Sequence, residues 1–94
     1  MFVLAVELDI HIPASQSLKD RRQVVRAVLD GARRRYGVSA AEVDGQHTWQ
    51  RAGLGFAVVA SSVGQAQDVM DEVERFVWSH PELEVLATER TWLE

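Results

Sequence analysis

Basic side chains are concentrated in one stretch of this chain, residues 17–36. The stretch holds seven of the ten lysine and arginine residues and only two of the fourteen acidic residues, which leaves a local charge of +5. The seven are Lys19, Arg21, Arg22, Arg26, Arg33, Arg34 and Arg35. The remaining residues carry three basic and twelve acidic side chains, a charge of −9. Clustered lysine and arginine side chains neutralise phosphate groups, so the stretch is compatible with contact with nucleic acid. An ordinary solvated helix face is a comparable interpretation.

A second group of polar and aromatic side chains follows the acidic residue Asp44. Its members are Asp44, His47, Trp49 and Gln50, and Arg51 comes directly after them. These residue types would suit a general base or a metal site with nitrogen and oxygen ligands. Their spacing matches no catalytic motif, however, and Asp44-Gly45 is typical of a turn. The sequence therefore predicts no catalytic residue, no metal and no cofactor, and it identifies no small-molecule substrate.

The basic stretch has the pattern of one helix. Ser17 is placed to cap its N-terminus, Asp20 to complete a capping box, and Gly37 to end it in a left-handed conformation. One arc of this helix is apolar, namely Leu18, Val25, Val28, Leu29, Ala32 and Tyr36, and the adjacent arc carries Lys19, Arg22, Arg26 and Arg33. We therefore expect phosphate contacts from one set of basic residues: Lys19, Arg21, Arg22, Arg26 and, from the neighbouring loop, Arg51.

The remaining chain predicts four strands and a second helix. Alternation over residues 2–12 predicts the first strand, residues 38–43 the second and 54–60 the third. The second helix begins at Ser62 with Gln65 completing a capping box, and its buried stripe is Val63, Ala66, Val69, Met70, Val73, Phe76 and Val77. The last strand, residues 83–93, has no clear register. The glycines that flank Leu54 indicate a bulge or a close backbone approach.

The order strand, helix, strand, strand, helix, strand predicts an α+β fold. With right-handed crossovers it forms a ferredoxin-like sandwich, a four-stranded antiparallel sheet in the order 4-1-3-2 with both helices on one face. We expect one domain over residues 1–94. One pole of this fold should collect the three histidines, His11, His47 and His80, together with Trp49, Trp78 and the first basic residues of the helix. The sequence leaves open whether the histidines meet.

Three separated motifs resemble the YlxP-like bacterial family of unknown function. They are SLKDRR at residues 17–22 after Ile12-Pro13, AEVD at 41–44, and WQRA at 49–52 before Leu54-Gly55. The resemblance covers nearly the whole chain and implies a ferredoxin-like fold in a small cytoplasmic bacterial protein. Genes of the family often lie beside genes for translation initiation and ribosome-binding factors, which implies a connection with RNA or the ribosome. The family has no established catalytic residues, so none is carried over.

Two functions agree with these observations. The first is binding of structured RNA or a ribosomal surface through the basic helix, in translation or ribosome assembly; the acidic remainder argues against indiscriminate binding to nucleic acid. The alternative is a homo-oligomer, in the simplest case a homodimer, that uses the open sheet face with Trp49 and Trp92 as anchors. No stretch is apolar enough to span a membrane, and the lack of cysteine excludes thiol chemistry and disulfides. We expect a cytoplasmic protein.

Overall fold

A computed structural model describes residues 1–44 and 49–93 of the chain. Its elements are β1 (Phe2–His11), α1 (Leu18–Tyr36), β2 (Ser39–Asp44), β3 (Arg51–Ala60), α2 (Val63–Trp78) and β4 (Glu84–Trp92). The strands form one sheet in the order β2-β3-β1-β4, and each pair of neighbours is antiparallel. This order is the predicted 4-1-3-2 read from the other edge, so the ferredoxin-like topology is confirmed.

The core lies between one face of the sheet and the two helices. Alternate residues of β1, Leu4, Val6, Leu8 and Ile10, are at most 1% exposed because they point toward the helices. Helix α1 packs over β2 and β3, whereas α2 packs over β1, β3 and β4. In the described part of the chain, no helix covers the opposite face of the sheet. Nor does any described helix combine the length and apolar character that a bilayer crossing requires.

Both helices begin at the predicted capping serines. The hydroxyl of Ser17 accepts a hydrogen bond from the Asp20 amide at 3.1 Å, and Ser62 accepts from Gln65 at the same distance. Helix α1 ends at Gly37, whose φ of 65° is the left-handed conformation that glycine adopts without steric cost. The Asp20 carboxylate differs from a standard capping box, because it accepts from the Gln16 amide at 3.1 Å.

The structure differs from the sequence prediction at the ends of several elements. Leu18 and Val63, both predicted to be buried, are exposed because each lies in the first turn of its helix. Strand β3 begins at Arg51, three residues earlier than predicted, since its first residues pair with the end of β1. The register of β4 is now defined: Glu89 lies opposite Glu7, and a bulge follows Asp9.

Gly53 and Gly55 allow β2 to approach β3 closely, as predicted. A Cβ atom at Gly53 would lie 2.9 Å from the Asp44 Cβ and 3.3 Å from its backbone nitrogen, at the bulge between Glu42 and Asp44. At Gly55 it would lie 2.9 Å from Cγ1 of Val43. These contacts explain why two small residues flank Leu54.

We expect Gly53→Ala to lower the free energy of unfolding by about 1 to 3 kcal/mol, because the crowded atoms belong to or adjoin the backbone and cannot rotate away. Gly64→Ala is the matched control, since a Cβ there meets no atom within 4 Å. That control should be neutral or stabilise α2 by up to about 1 kcal/mol. Urea denaturation measures both values, and an equal effect of the two substitutions would contradict the crowding at Gly53.

Candidate functional site

The ends of several elements meet at one pole of the fold, as the topology requires. The amide of Ile12, just after β1, donates a hydrogen bond to the Gln50 carbonyl at 2.8 Å. The Gln50 side chain donates to the carbonyls of Pro13 and Ser15 at 3.4 and 3.3 Å. Gln50 therefore joins the start of β3 to the segment that leads into α1, and its side chain supports the pole.

The other predicted loop residues have different surroundings. Trp49 is 55% exposed beside Gln50, and Asp44 is exposed across from Gly53. His47 lies outside the described residues. Of the predicted polar loop, the structure describes the two ends, which are Asp44 on β2, and Trp49 and Gln50 before β3.

The two described histidines have different neighbours. Nδ1 of His11 lies 3.9 Å from a carboxylate oxygen of Glu84, at the start of β4. The ring of His80 packs against Phe76, with centroids 5.3 Å apart. Among residues 1–44 and 49–93, no three histidine or acidic side chains are grouped so that they could hold a metal ion.

Arg21, one of the predicted phosphate ligands, is buried inside the protein. Only 3% of its side chain is exposed. Its Nε donates to the Arg51 carbonyl at 2.8 Å, and its guanidinium forms an ion pair with Glu42 on β2. Burial lowers the pKa of Arg21, and the neighbouring Arg22 charge lowers it further. The side chain remains charged at neutral pH, and it ties α1 to two strands.

Arg51 also makes contacts within the chain. Its guanidinium forms an ion pair with Asp9, its diagonal neighbour on β1, since the residue directly opposite is His11. The Arg51 carbonyl accepts the hydrogen bond from Arg21. Arg51 therefore belongs to the uncovered face of the sheet, on the side away from the helices.

Three basic side chains of α1 remain on its exposed side. We call Lys19, Arg22 and Arg26 the basic stripe, since they follow one another at spacings of three and four residues. Among the described residues, none of the three forms a side-chain hydrogen bond or an ion pair. They line a shallow groove of about 470 Å³ along α1. Arg22 and Arg26 also line a smaller hollow of about 250 Å³ between α1 and β2. Together these side chains give the N-terminal half of α1 an accessible positive surface.

Two basic residues at the C-terminal end of α1 form contacts within the protein. Arg33 donates to the Asp30 carboxylate at 2.9 Å and also to the Ala40 carbonyl. The Arg35 guanidinium lies 4.7 Å from the centre of the Phe76 ring, a cation–π contact. This end therefore serves the packing of α1 against β2 and α2.

The pairing of Arg21 with Glu42 was missing from the sequence prediction. The burial of Arg21 could have been predicted from the helical spacing, because Arg21 precedes Val25 by four residues and Val28 by seven. Residues at this spacing share one face of a helix, so Arg21 belongs to the buried arc. Its partner depends on the distant alignment of β2, which the local pattern does not encode.

The topology and these contacts define a ferredoxin-like α+β domain with one exposed basic helix. The fold is similar to that of a de novo designed protein with a ferredoxin fold, solved by solution NMR, with a TM-score of 0.57 and 15% identity. The match covers 100% of this chain and 87% of the designed protein. At this identity the similarity concerns the fold alone.

The chain belongs to the family described as "Protein of unknown function (DUF503)", whose model matches residues 3–90. A curated relative is the uncharacterized protein YlxP of Bacillus subtilis (strain 168), which is 37% identical over 86 residues. The alignment covers 92% of this chain and 94% of YlxP. The resemblance to the YlxP-like family is therefore confirmed.

Proposed function

We propose that this protein is a non-catalytic, cytoplasmic RNA-binding protein that acts in translation or ribosome assembly. Its partner is structured RNA, such as ribosomal RNA, and its contact surface is the basic stripe of α1. The observation that carries the proposal is that Lys19, Arg22 and Arg26 are exposed and form no ion pair with any described residue. The acids nearest to them in the two hollows, Asp30 and Glu42, are paired with Arg33 and Arg21. Exposed cations release counterions when they neutralise phosphates, which favours binding.

The N-terminus of α1 adds to this attraction. The first turn of a helix has free amide groups and the positive end of the helix dipole, both of which favour phosphate. Lys19 and Arg22 lie in the first turns of α1, so their charges and the helix dipole favour an anion at the same end. The Asp20 amide is already bonded to the Ser17 hydroxyl, and the Asp20 carboxylate offsets part of this attraction. Trp49, exposed at the same pole, offers a ring on which an unpaired base can stack.

We assign phosphate contacts to fewer residues than the sequence predicted. Arg21 and Arg51 hold the pole together through Glu42, Asp9 and the Arg51 carbonyl, so we assign them a positioning role. Direct phosphate contacts come from the remaining three residues of the set, which are Lys19, Arg22 and Arg26.

The acidic body restricts how RNA can dock. Helix α2 presents Asp68, Asp71 and Glu72 on its exposed side. Asp71 pairs with Arg90 and Glu72 with Arg75, so this side keeps a reduced negative charge that disfavours a polyanion. This charge distribution favours approach along α1. Selective docking to a folded RNA surface follows, in place of wrapping along an extended duplex.

Titration of a labelled RNA stem-loop at several salt concentrations tests the proposal. With three phosphate contacts, affinity should fall roughly 40-fold between about 50 mM and about 200 mM salt. Fluorescence anisotropy measures the dissociation constant at each concentration. Affinity that does not change with salt, or a failure to bind at the lowest concentration, would remove the basis for phosphate contacts.

A homo-oligomer that uses the open sheet face is the second candidate. Apolar side chains on that face support it, because Val43, Val59 and Leu93 are each at least half exposed. The opposing observation is a pair of acidic residues on the same face, Glu7 and Glu89. A face-to-face dimer that aligns the same ends of the two sheets would bring these carboxylates close to their own copies, at an electrostatic cost.

A further inference from the structure

The uncovered face of the sheet forms a continuous trough. One hollow of about 510 Å³ is floored by small residues, among them Ala5, Gly55 and Ala57, and is bounded by Val43 and Leu93. A second hollow of about 480 Å³ adjoins it and contains the ion pair of Arg51 with Asp9. Glu7 and Glu89 line both hollows, so they lie where the apolar half of the trough meets the polar half.

The two glutamates form an uncompensated like-charged pair. They are directly opposite each other on β1 and β4. Both are exposed, and neither has a hydrogen bond or an ion pair with any described residue. Like charges at directly paired positions destabilise a sheet, whereas Asp9, two residues along β1, has Arg51 as its partner. The trough therefore presents a negative charge that a cationic ligand can neutralise.

The face of a sheet also restricts the backbone conformation of its occupant. The backbone groups of the inner strands β1 and β3 already bond to their neighbours, so an extended peptide lying on this face would leave its own groups unpaired. A helix satisfies its backbone internally, and helices pack on sheet faces in layered folds. The floor of alanine and glycine lets a helix approach closely.

We propose that this trough docks an amphipathic, cationic helix of a partner protein. Leucine-like side chains of the helix would cover Ala5, Ala57 and the Val43 wall, and its lysine or arginine side chains would pair with Glu7 and Glu89. The occupant completes a second helical layer on the sheet. This surface lies on the opposite side of the sheet from α1, so RNA and the helix can bind at the same time.

A synthetic helix tests this surface directly. The probe is a peptide of about 18 residues, long enough to hold a helix, with a leucine stripe flanked by lysines on an alanine background. NMR amide shifts should change at Ala5, Glu7, Gly55, Ala57 and Glu89, while those of the basic stripe remain unchanged. A peptide with glutamate in place of each lysine is the matched control and should not bind.

Two double variants distinguish the effect of Glu7 and Glu89 on peptide binding from the effect of overall charge. Glu7→Gln with Glu89→Gln should weaken peptide binding roughly five- to tenfold, the loss expected from two exposed ion pairs. Asp68→Asn with Glu82→Gln removes the same charge from exposed positions off this face and should leave binding unchanged. Three results would overturn the proposal: no peptide binding, shifts confined to α1 or α2, or equal losses in both variants. A dimer detected by light scattering, whose formation shifts the same amide signals of this face, would overturn it as well.

Discussion

Replacing Lys19, Arg22 and Arg26 together with alanine should weaken binding to structured RNA by roughly a hundredfold or more at low salt, because each charged contact contributes more than an ordinary hydrogen bond. The residual binding should also lose most of its salt dependence, since the slope falls by about one for each phosphate contact removed. Anisotropy titration of the RNA stem-loop measures both effects. Surface changes of this kind have small effects on folding, so thermal unfolding should be nearly unchanged.

A charge-matched variant makes this test specific to the basic stripe. Arg34→Ala, Arg35→Ala and Arg75→Ala together remove three cations from the C-terminal end of α1 and from α2. We expect at most a small loss of affinity, through the general field of the protein. If both triple variants lost affinity equally, overall charge would explain binding and the stripe would be an ordinary solvated helix face.

Arg21→Ala should lower the free energy of unfolding by about 3 kcal/mol or more, the cost typical of breaking a buried ion pair. The substitution leaves Oε2 of Glu42 buried without its guanidinium partner and removes the hydrogen bond to the Arg51 carbonyl. Arg22→Ala, one residue away and exposed, is the control and should change stability by less than about 0.5 kcal/mol. Urea denaturation compares the two variants.

Two further variants show whether the loss comes from the unpaired carboxylate. Arg21→Lys should restore only part of the stability, since a lysine ammonium cannot bridge a carbonyl and a carboxylate as a planar guanidinium does. Arg21→Met combined with Glu42→Met should be more stable than Arg21→Ala, because no buried charge is left unpaired. RNA binding by folded Arg21→Ala should stay close to the parent value. If Arg21→Ala folded normally but no longer bound RNA, Arg21 would have to be counted among the residues that contact phosphate.

Much of the fold follows from local sequence patterns. Alternation in β1 indicates which of its faces is buried, and the serine caps and Gly37 mark three helix ends within one residue. The glycines beside Leu54 indicate the close approach of β2. These features depend on neighbouring residues or on simple sterics, so a single sequence contains them.

Other features depend on tertiary contacts that local patterns do not encode. Both alternating sets of β4 contain polar residues, and the bulge beside Asp9 decides which set faces the helices. Composition alone groups Arg21 with Arg22 as two basic residues. In the fold, Arg21 is buried and connects α1 to the sheet, whereas Arg22 is exposed. The pairing of Glu7 with Glu89 joins residues from opposite ends of the chain, so it requires the register of β4.

Co-sedimentation with purified ribosomal subunits across a series of salt concentrations tests the central claim most directly. We predict that the parent protein sediments with one subunit at low salt and is released as salt rises, because phosphate contacts weaken with ionic strength. The Lys19, Arg22 and Arg26 triple variant should stay in the supernatant at every concentration, while the charge-matched variant follows the parent. Absence of the parent protein from both subunits at low salt, or association of the triple variant equal to the parent, would contradict RNA binding through α1.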